Sequence, residues 1–524
     1  MTQHMQQLRH LLPQDIPLSS LALQLLTIAF VLYLVIGAVV NKRKLRQFNG
    51  PAWAGYSRIW LFWQSVNGRL ARAQFAAIKK HGWSEPSHSS LAHVANVAQH
   101  VGSVARIGPN LLITDDADII KHMSAPGSRW TRSPWYDGVR LDPRYDTVFS
   151  TRSEKHHADL RSREIGGYNG RDIDNLESDI DGRVTDLITL IRDSYNGITM
   201  DFATIARLFT LDVLSTVAFG KKFGFMASNK DLWDYDATIS SFQLALELVV
   251  NHAAIRWVFQ SRLMQALAGA KVTDKTGLGP ALGFARAQVA ERFSANNEKV
   301  KRDMLGHFVS KGLTQLQCEV EAFLQIIAGS DSTTTTLRCC LYLLCGSPVA
   351  YAKLRAEIDA ADLAYPVATH TEAQKLPYLQ ACLYETLRLY PPLFGLKSKL
   401  SPPEGDTIKG IFFPPNTEVG LCDDAMCRNP TIFGSDAHLF RPDRWIDASA
   451  EEKVKFKSTV ECVFGSGRFL CLGRHIAFIE LNKGVAELIR NFDWAMADPM
   501  RGIDAHTHNV HLQSNMNLVA RPRA

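Results

Sequence analysis

The sequence predicts a mainly α-helical fold with a small β region, preceded by one transmembrane helix. Amphipathic helical patterns dominate from about Gln74 onward, as in residues 174–195, where apolar side chains recur every three or four positions. Strand-like segments are few and short. Residues 17–40 carry no charge and are long enough to cross a bilayer as one helix. The chain is therefore interpreted as a helical domain behind a membrane anchor.

A basic block follows the N-terminal apolar segment and predicts its orientation. Four of the six residues 41–46 are cationic, which favours a cytosolic position for everything after them. Residues 1–48 are predicted to form the anchor with its stop-transfer segment, and residues 49–524 one catalytic domain. A cleaved signal peptide is the alternative, although the apolar length, the basic block and the lack of a small-x-small cleavage site disfavour it.

Aromatic residues continue after the anchor, where Asn49-Gly50-Pro51 breaks the helix. They fit either headgroup-level membrane anchors or ordinary core residues. This set consists of Trp53, Tyr56, Trp60 and Trp63.

Two hairpins and several helices are predicted along the rest of the chain. Residues 103–114 fit a hairpin that turns at Gly108-Pro109-Asn110, and residues 508–519 fit another. Long helices are predicted over residues 313–344 and 379–389, both ending near proline. Residues 222–287 mix aromatic and aliphatic side chains with few turn signals, which suits helices that border a route for apolar substrates.

Composition excludes several classes of protein. A chain of 524 residues with 46 % hydrophobic residues can bury a large core. Its net charge of +6 is spread over 58 basic and 52 acidic residues, too dilute for the dense basic face of a nucleic-acid-binding protein. The nine cysteines form no CxxC pair, so neither a disulfide framework nor a zinc site is indicated. The thiols are expected to be reduced.

One cysteine lies among glycines, in the segment Phe464 to Gly473, before an apolar helical pattern. Glycines allow backbone amides to point at a sulfur atom, and a helix N-terminus favours its negative charge. Such a cysteine suits an anionic axial metal ligand. A buried structural cysteine at a glycine turn is the alternative.

This segment resembles the cysteine-ligand loop of the cytochrome P450 family, Phe-x-x-Gly-x-Arg/His-x-Cys-x-Gly. The matching residues are Phe464, Gly467, Cys471 and Gly473. The resemblance implies that Cys471 binds the iron of haem b, iron protoporphyrin IX. Phe469 stands where the family has the Arg or His that meets a haem propionate, with Arg468 one position earlier.

A second resemblance lies in Glu385-Thr386-Leu387-Arg388 and the later Phe440 to Trp445. An isolated Glu-x-x-Arg pair is common on solvated helices and means little. Here the pair lies in an apolar helix, and in the family it forms a structural ion network with the later arginine, Arg444.

A third resemblance lies on the long helix, in Ala328-Gly329-Ser330-Asp331-Ser332-Thr333. In the family this segment crosses the distal face of the haem, where an acid beside a hydroxyl organises proton delivery. Asp331, Ser332 and Thr333 are the implied catalytic residues, with Ser332 where threonine is usual. A Ser-Asp-Ser helix cap is the alternative.

The fourth resemblance concerns His157 and Arg161, one helical turn apart. The family's His-x-x-x-Arg pair faces a haem propionate. Without the other motifs, a basic surface helix would be the better interpretation.

The four motifs together imply the cytochrome P450 fold and a monooxygenase that inserts one oxygen atom from dioxygen into an apolar small molecule. The chain has no Walker loop and no strand-bound GxGxxG, so electrons are expected from NADPH through a separate NADPH-cytochrome reductase, with cytochrome b5 as a candidate second donor. The implied location is the endoplasmic reticulum membrane. Residues 133–136 and 142–143 are similar to fungal microsomal members such as pisatin-demethylase-like enzymes of specialised metabolism.

Two other functions are compatible with these motifs. One is a haem-thiolate isomerase, dehydratase or peroxide-dependent enzyme, which the retained acid and hydroxyl disfavour. The other is a non-catalytic membrane haem protein. For the reductase, the sequence predicts docking near the cysteine loop through Lys155, Arg163, Arg474 and Lys483.

Overall fold

The computed structural model describes residues 18–82, 103–142, 144–294 and 301–523, and it is mostly helical with small sheets, as predicted. The first residues of the predicted anchor and Pro143 lie outside these ranges. The helices are α1 Leu18–Lys44, α2 Ile59–Val66, α3 Leu70–His81, α4 Ala117–Ser124, α5 Glu154–Tyr168, α6 Leu176–Ser194, α7 Phe202–Phe219, α8 Phe225–Ser228, α9 Tyr235–Asn251, α10 Ala253–Phe259, α11 Arg262–Ala268, α12 Leu278–Phe293, α13 Met304–Ser310, α14 Gln315–Cys345, α15 Pro348–Ala360, α16 His370–Gln374, α17 Pro377–Leu389, α18 Asp423–Cys427, α19 Pro430–Phe433, α20 Asp443–Asp447, α21 Ala450–Val460 and α22 Arg474–Asn491.

The strands form four small sheets. They are β1 Val104–Gly108, β2 Leu111–Thr114, β3 Thr131–Arg132, β4 Thr199–Asp201, β5 Lys399–Leu400, β6 Asp406–Ile408, β7 Ile411–Phe413, β8 Glu418–Leu421, β9 Phe492–Met496, β10 Asp504–His508, β11 Val510–Ser514 and β12 Asn517–Pro522. The largest sheet has the order β1-β2-β8-β5-β3, and the others pair β10 with β11, β6 with β7, and β12 with both β4 and β9.

The predicted hairpin at residues 103–114 is confirmed as the antiparallel pair β1–β2. The second predicted hairpin, over residues 508–519, has the wrong bounds, because the observed hairpin covers residues 504–514. The turn falls at Asn509, whose φ of 55° is a left-handed conformation that asparagine tolerates. The hairpin is therefore β10–β11, and β12 pairs with β4 and β9 instead.

The central element is α14, which begins at Gln315 because Thr314 and Gln317 form a capping box. It ends at Cys345, shortly before Pro348 starts α15. Helix α14 packs against α7, α12, α17 and α22, so its side chains are buried on most sides.

Among the described residues, α7 is the helix long and apolar enough to match a membrane span by composition. Of its 18 residues, 83 % are buried within the protein, as expected of a core helix. Helix α1 carries the predicted anchor sequence and ends in Lys42, Arg43 and Lys44.

Residues 222–287 form helices α8 to α12, of which α10 and α11 have an exposed apolar surface. Trp257, Leu263 and Leu267 are each at least 68 % exposed.

Candidate functional site

Two glycines shape the loop that carries Cys471. Gly465 and Gly467 have φ values of 81° and 54°. A Cβ atom would lie 2.5 Å from the Phe469 carbonyl oxygen at Gly465 and 2.2 Å from the Ser124 carbonyl oxygen at Gly467. Both positions therefore require glycine for conformation and for space. The loop closes where the Cys471 amide donates to the Phe464 carbonyl at 2.7 Å.

The sulfur atom of Cys471 receives the backbone amides that the glycine pattern predicts. N–H groups of Gly473 and Arg474 and the charge of Arg161 lower the thiol pKa, although burial outweighs them and leaves it raised. All nine cysteines lie in the described range, and Cys471 is the exposed one. This combination suits a metal ligand, because a bound metal deprotonates a coordinating thiol.

Buried cations surround the ring of Phe469. The Lys399 ammonium lies 3.3 Å from the ring centroid, and the guanidinium carbons of Arg132 and Arg468 lie 4.6 and 4.9 Å from it. The His157 ring centroid is 5.0 Å away. Burial, with Arg132 as the largest charge effect, lowers the pKa of His157 to about 3, so this imidazole is neutral.

Lys399 and Arg132 are cross-strand partners in the β3–β5 pair, and both are about 95 % buried. Like charges directly opposite each other destabilise a sheet. The Lys399 ammonium also has no hydrogen-bond partner among the described residues, and burial lowers its pKa well below the usual value. A buried cation without a partner is costly, so this cluster fits an anionic group. The two propionates of the implied haem have that chemistry.

The resemblance also implies that Arg468 binds the cofactor, and this stays a prediction. Its guanidinium donates to the carbonyls of Ala125, Ser128 and Trp130, and it lies 3.0 Å from Glu154. The guanidinium of Arg132 likewise donates to carbonyls, those of Val148 and Thr151. The sequence reasoning missed Lys399 and Arg132, which no local motif marks, because short strands bring them here from distant parts of the chain.

The predicted pair on α5 borders the same cluster. His157 is buried beside Phe469. Arg161 donates to the Leu470 carbonyl at 2.7 Å, and its charge acts on Cys471. The structure therefore brings both residues to the cysteine loop.

The three predicted residues on α14 point in different directions. Asp331 is buried, and its Oδ1 lies 3.5 Å from Nε of Arg207 on α7. Burial raises the pKa of Asp331, while Arg207 and Arg338 lower it to a smaller extent. Ser332 is half-buried and donates to the Ala328 carbonyl at 3.0 Å, whereas Thr333 is buried.

Ser332 and Ala328 lie on the accessible face of α14. One turn earlier, Leu324 packs with Leu160 and with Leu472, the neighbour of Cys471. Residues four apart share a helix face, so the stripe from Leu324 through Ala328 to Ser332 runs past the cysteine loop. The accessible hydroxyl on this stripe belongs to Ser332.

The ion network around Glu385 is fully buried. Arg388 donates to both carboxylate oxygens of Glu385, at 2.7 and 2.9 Å, and Arg444 Nε lies 3.5 Å from the same carboxylate. The Trp445 indole N–H and the Arg441 backbone amide each donate to the Glu385 carboxylate at 2.9 Å. The network joins α17 to α20 and stabilises the contact between these two helices.

The prediction that Lys483 belongs to a docking surface is wrong. Its side chain is fully buried, and its ammonium lies 2.8 Å from Glu177 and 2.6 Å from Asp181 on α6. Two carboxylates satisfy the charge inside the α6–α22 contact. Lys155 is exposed, and Arg163 and Arg474 are partly exposed.

Comparison with known proteins gives consistent matches. A family model described as Cytochrome P450 matches residues 78–517. "Cytochrome P450 monooxygenase ABA1" of Pyricularia oryzae is 36 % identical over 95 % of this chain and 96 % of its own length. "Cytochrome P450 monooxygenase aba1" of Botryotinia fuckeliana is 32 % identical over 90 % of this chain and 91 % of its own length. "Cytochrome P450 monooxygenase abl1" of Leptosphaeria maculans is 32 % identical over 93 % and 83 %, respectively.

Proposed function

The chain belongs to the cytochrome P450 family, and we propose that this monooxygenase oxidises an apolar small molecule in fungal specialised metabolism, attached to the endoplasmic reticulum membrane. The exposed Cys471, with the backbone amides of Gly473 and Arg474 directed at its sulfur, is the observation that supports this most strongly. Membership of the family implies haem iron, a small-molecule substrate and electrons from a separate reductase.

The residues present fit a haem. Cys471 would bind the iron, with the Gly473 and Arg474 amides lowering the basicity of its sulfur. Lys399, Arg132 and Arg161 would hold the propionates. When bound, the haem supplies the activation of dioxygen for insertion of one oxygen atom into a C–H bond.

The protein's own groups on α14 would handle protons. The Ser332 hydroxyl lies on the accessible face and can hold a proton at Oγ and pass it into the reaction space. Asp331 is directed at Arg207 and so acts as a buried, charge-paired neighbour of that hydroxyl. The apolar cluster that includes Leu160, Leu324 and Leu472, beside the cysteine loop, would exclude bulk water and orient an apolar substrate.

Exposed apolar side chains support membrane attachment beyond α1. Ile59 and Trp63 on α2 are 72 % and 63 % exposed, as large as the exposures on α10 and α11. Phe62 contacts His252 edge to face at 5.5 Å, which joins α2 to the end of α9 beside α10. We assign the exposed apolar side chains of these helices to one apolar surface, of the kind that enters the lipid interface. Trp60 instead packs into the core.

The electron donor is proposed to be an NADPH-cytochrome reductase, with cytochrome b5 as a second donor. Exposed or partly exposed cations lie on the cysteine-loop side, on α5 and at the start of α22. We assign the docking surface to Lys155, Arg163 and Arg474.

The ferrous carbon monoxide spectrum of the full chain tests the proposal. Wild type should show the long-wavelength Soret band of a thiolate ligand, and Cys471→Ser should lose it. Cys462→Ser is the matched control, because Cys462 lies in the same region but is buried and bonded to the Ser458 carbonyl. Retention of the band in Cys471→Ser would refute the assignment. Product formation that needs neither NADPH nor reductase would point to an isomerase or a peroxide-dependent enzyme.

A further inference from the structure

Two buried glutamates face each other between α5 and α14. Glu164 and Glu321 are both fully buried, and their carboxylates interact electrostatically. Oε1 of Glu321 accepts the Val148 amide at 2.6 Å, while Oε2 of Glu321 and both oxygens of Glu164 have no hydrogen-bond partner among the described residues. A buried carboxylate without partners is costly when ionised.

Few charges near the pair could offset this cost. Arg161 is the cation that acts on Glu164, and its guanidinium already donates to the Leu470 carbonyl. The other titratable groups facing the pair are Tyr168 on α5 and Cys318 on α14, both neutral at physiological pH. His307 on α13 lies nearby against Gly166, with Nδ1 3.2 Å from Asp172. Burial therefore raises the pKa of both glutamates, that of Glu321 to about 8, which favours a protonated carboxyl in the pair at neutral pH.

Helix α14 connects this pair to the reaction space. At 3.6 residues per turn, positions spaced by four, three and four residues lie on one face of a helix and extend over about 16 Å. The residues with this spacing are Glu321, Gln325, Ala328 and Ser332. Gln325 lies beside the Tyr168 hydroxyl, and neither polar atom of its amide forms a hydrogen bond of normal geometry with the residues that the structure describes. Asp331 lies on a different face, toward Arg207.

Near the N-terminal end of α14, a face of the helix different from this stripe borders an open recess. A recess of about 210 Å³ is lined by Leu141, Arg144, Arg286, Glu319, Val320 and Phe323, among others. A space of this volume holds several water molecules. Glu319 at its wall is two residues from Glu321, but it lies 3.6 Å from Arg286 and 3.7 Å from Arg144.

We propose that Glu164 and Glu321 share a proton and deliver it along α14, through Gln325 and water, to the Ser332 hydroxyl. This route starts at the buried pair and is separate from Asp331. A proton released from the pair is replaced from the solvent, so no other reactant is required. The inference depends on the proposed function, since Ser332 must serve an oxygen-activating site.

The test is the pH profile of coupling, measured as product formed per NADPH consumed by the full chain with reductase in lipid vesicles. Glu321→Gln keeps the size of the side chain and the acceptor for the Val148 amide but cannot release a proton. Wild-type coupling should fall as the pH rises and the pair loses its shared proton. Glu321→Gln should lower coupling several-fold at neutral pH and remove this pH dependence, together with a changed solvent deuterium isotope effect.

Glu319→Gln is the matched control, because it removes a carboxylate from the same helix within the surface charge cluster. It should keep the wild-type profile. Asp331→Asn should keep the pH dependence even if its coupling is lower. An unchanged pH profile in Glu321→Gln would overturn the proposal.

A second measurement uses the wild type alone, so that the test does not depend on how well Glu321→Gln folds. The infrared spectrum of the wild type should contain the carbonyl band of a protonated, buried carboxyl at neutral pH, lost at high pH. Absence of that band would also overturn the inference. Failure of the proposed function is distinguishable, because it would remove the thiolate Soret band or the NADPH dependence from the wild type itself.

Discussion

The buried Lys399 lies opposite another cation, Arg132. Its replacement should therefore stabilise the haem-free protein but weaken the retention of haem. Lys399→Met removes the repulsion with Arg132 and should raise the free energy of unfolding of the haem-free protein. It also removes a charge-assisted contact to a propionate, which should speed haem loss by roughly tenfold or more. Haem transfer to an excess of an acceptor protein and denaturant unfolding measure the two effects.

Lys409→Met is a suitable control for this prediction. Lys409 is about half exposed and pairs with Asp116 and Asp118 at the surface, so its loss should change neither measurement appreciably. Equal rates of haem loss in Lys399→Met and wild type would exclude Lys399 as a propionate partner.

Ser332 and Thr333 offer two neighbouring hydroxyls, of which one is accessible. Successive helical residues are rotated by about 100°, so only one of them can face the reaction space. Ser332→Ala should therefore raise peroxide release per NADPH consumed and lower product yield, whereas Thr333→Ala should do little to either. Ser332→Thr should preserve coupling. A fully coupled Ser332→Ala beside an uncoupled Thr333→Ala would reverse the assignment.

At the scale of elements, the α5–α14 contact should make stability depend on pH. Burial raises the pKa of Glu321 above its value in the unfolded chain. Its contribution to stability is complete below a pH of about 4.5 and is lost as pH rises through the raised pKa, because the unfolded chain gains by ionising. The Glu321→Gln variant should therefore gain stability relative to wild type, by on the order of 2 kcal/mol, between pH 5 and pH 8.

Denaturant unfolding of detergent-solubilised wild type and variant at the two pH values measures this difference. Glu319→Gln should show no comparable change, because Glu319 is paired with Arg286 near the surface. A constant difference between wild type and Glu321→Gln across this range would mean that the carboxyl keeps an ordinary pKa.

The elements differ in how far the sequence predicts them. Helix α14 was predictable within two residues, because Thr314 caps its start and Pro348 follows its end. Strand β12 was not, since its register depends on pairing with β4 and β9, which lie elsewhere in the chain. Similarly, the cysteine loop is local and its amides follow from glycine positions, whereas the Lys399–Arg132 pair exists only through the β3–β5 contact.

Lys483 shows the same limit for helix faces. Its neighbours on α22 follow an ordinary apolar pattern, and a lysine among them reads as a surface residue. Only the packing of α6 supplies Glu177 and Asp181, which make its burial possible.

At the scale of the whole molecule, the cations near the cysteine loop should control the rate of reduction. Charge reversal by Lys155→Glu or Arg163→Glu should slow electron transfer from the reductase, because opposite charges steer the encounter. The effect should weaken with salt, since surface attraction is screened within about 10 Å at 0.1 M ionic strength. Stopped-flow reduction at low and high salt measures it.

Lys275→Glu provides the control for reduction. Lys275 is exposed on the segment between α11 and α12, beside the apolar surface assigned to the membrane. Its reversal should leave the reduction rate unchanged. A rate that responds to neither Lys155→Glu nor Arg163→Glu, at any salt concentration, would place the reductase on another face.

The opposed cations of β3 and β5 also bear on how the protein matures in the cell. In a newly made chain without haem, no anion offsets the repulsion between Arg132 and Lys399. The β3–β5 pair should therefore be among the last contacts to form. Cofactor insertion would then act as a late checkpoint of biogenesis. Under iron or haem limitation, newly made molecules should accumulate with the β3–β5 pair unformed and be removed by cellular quality control. Older molecules that already contain haem should persist.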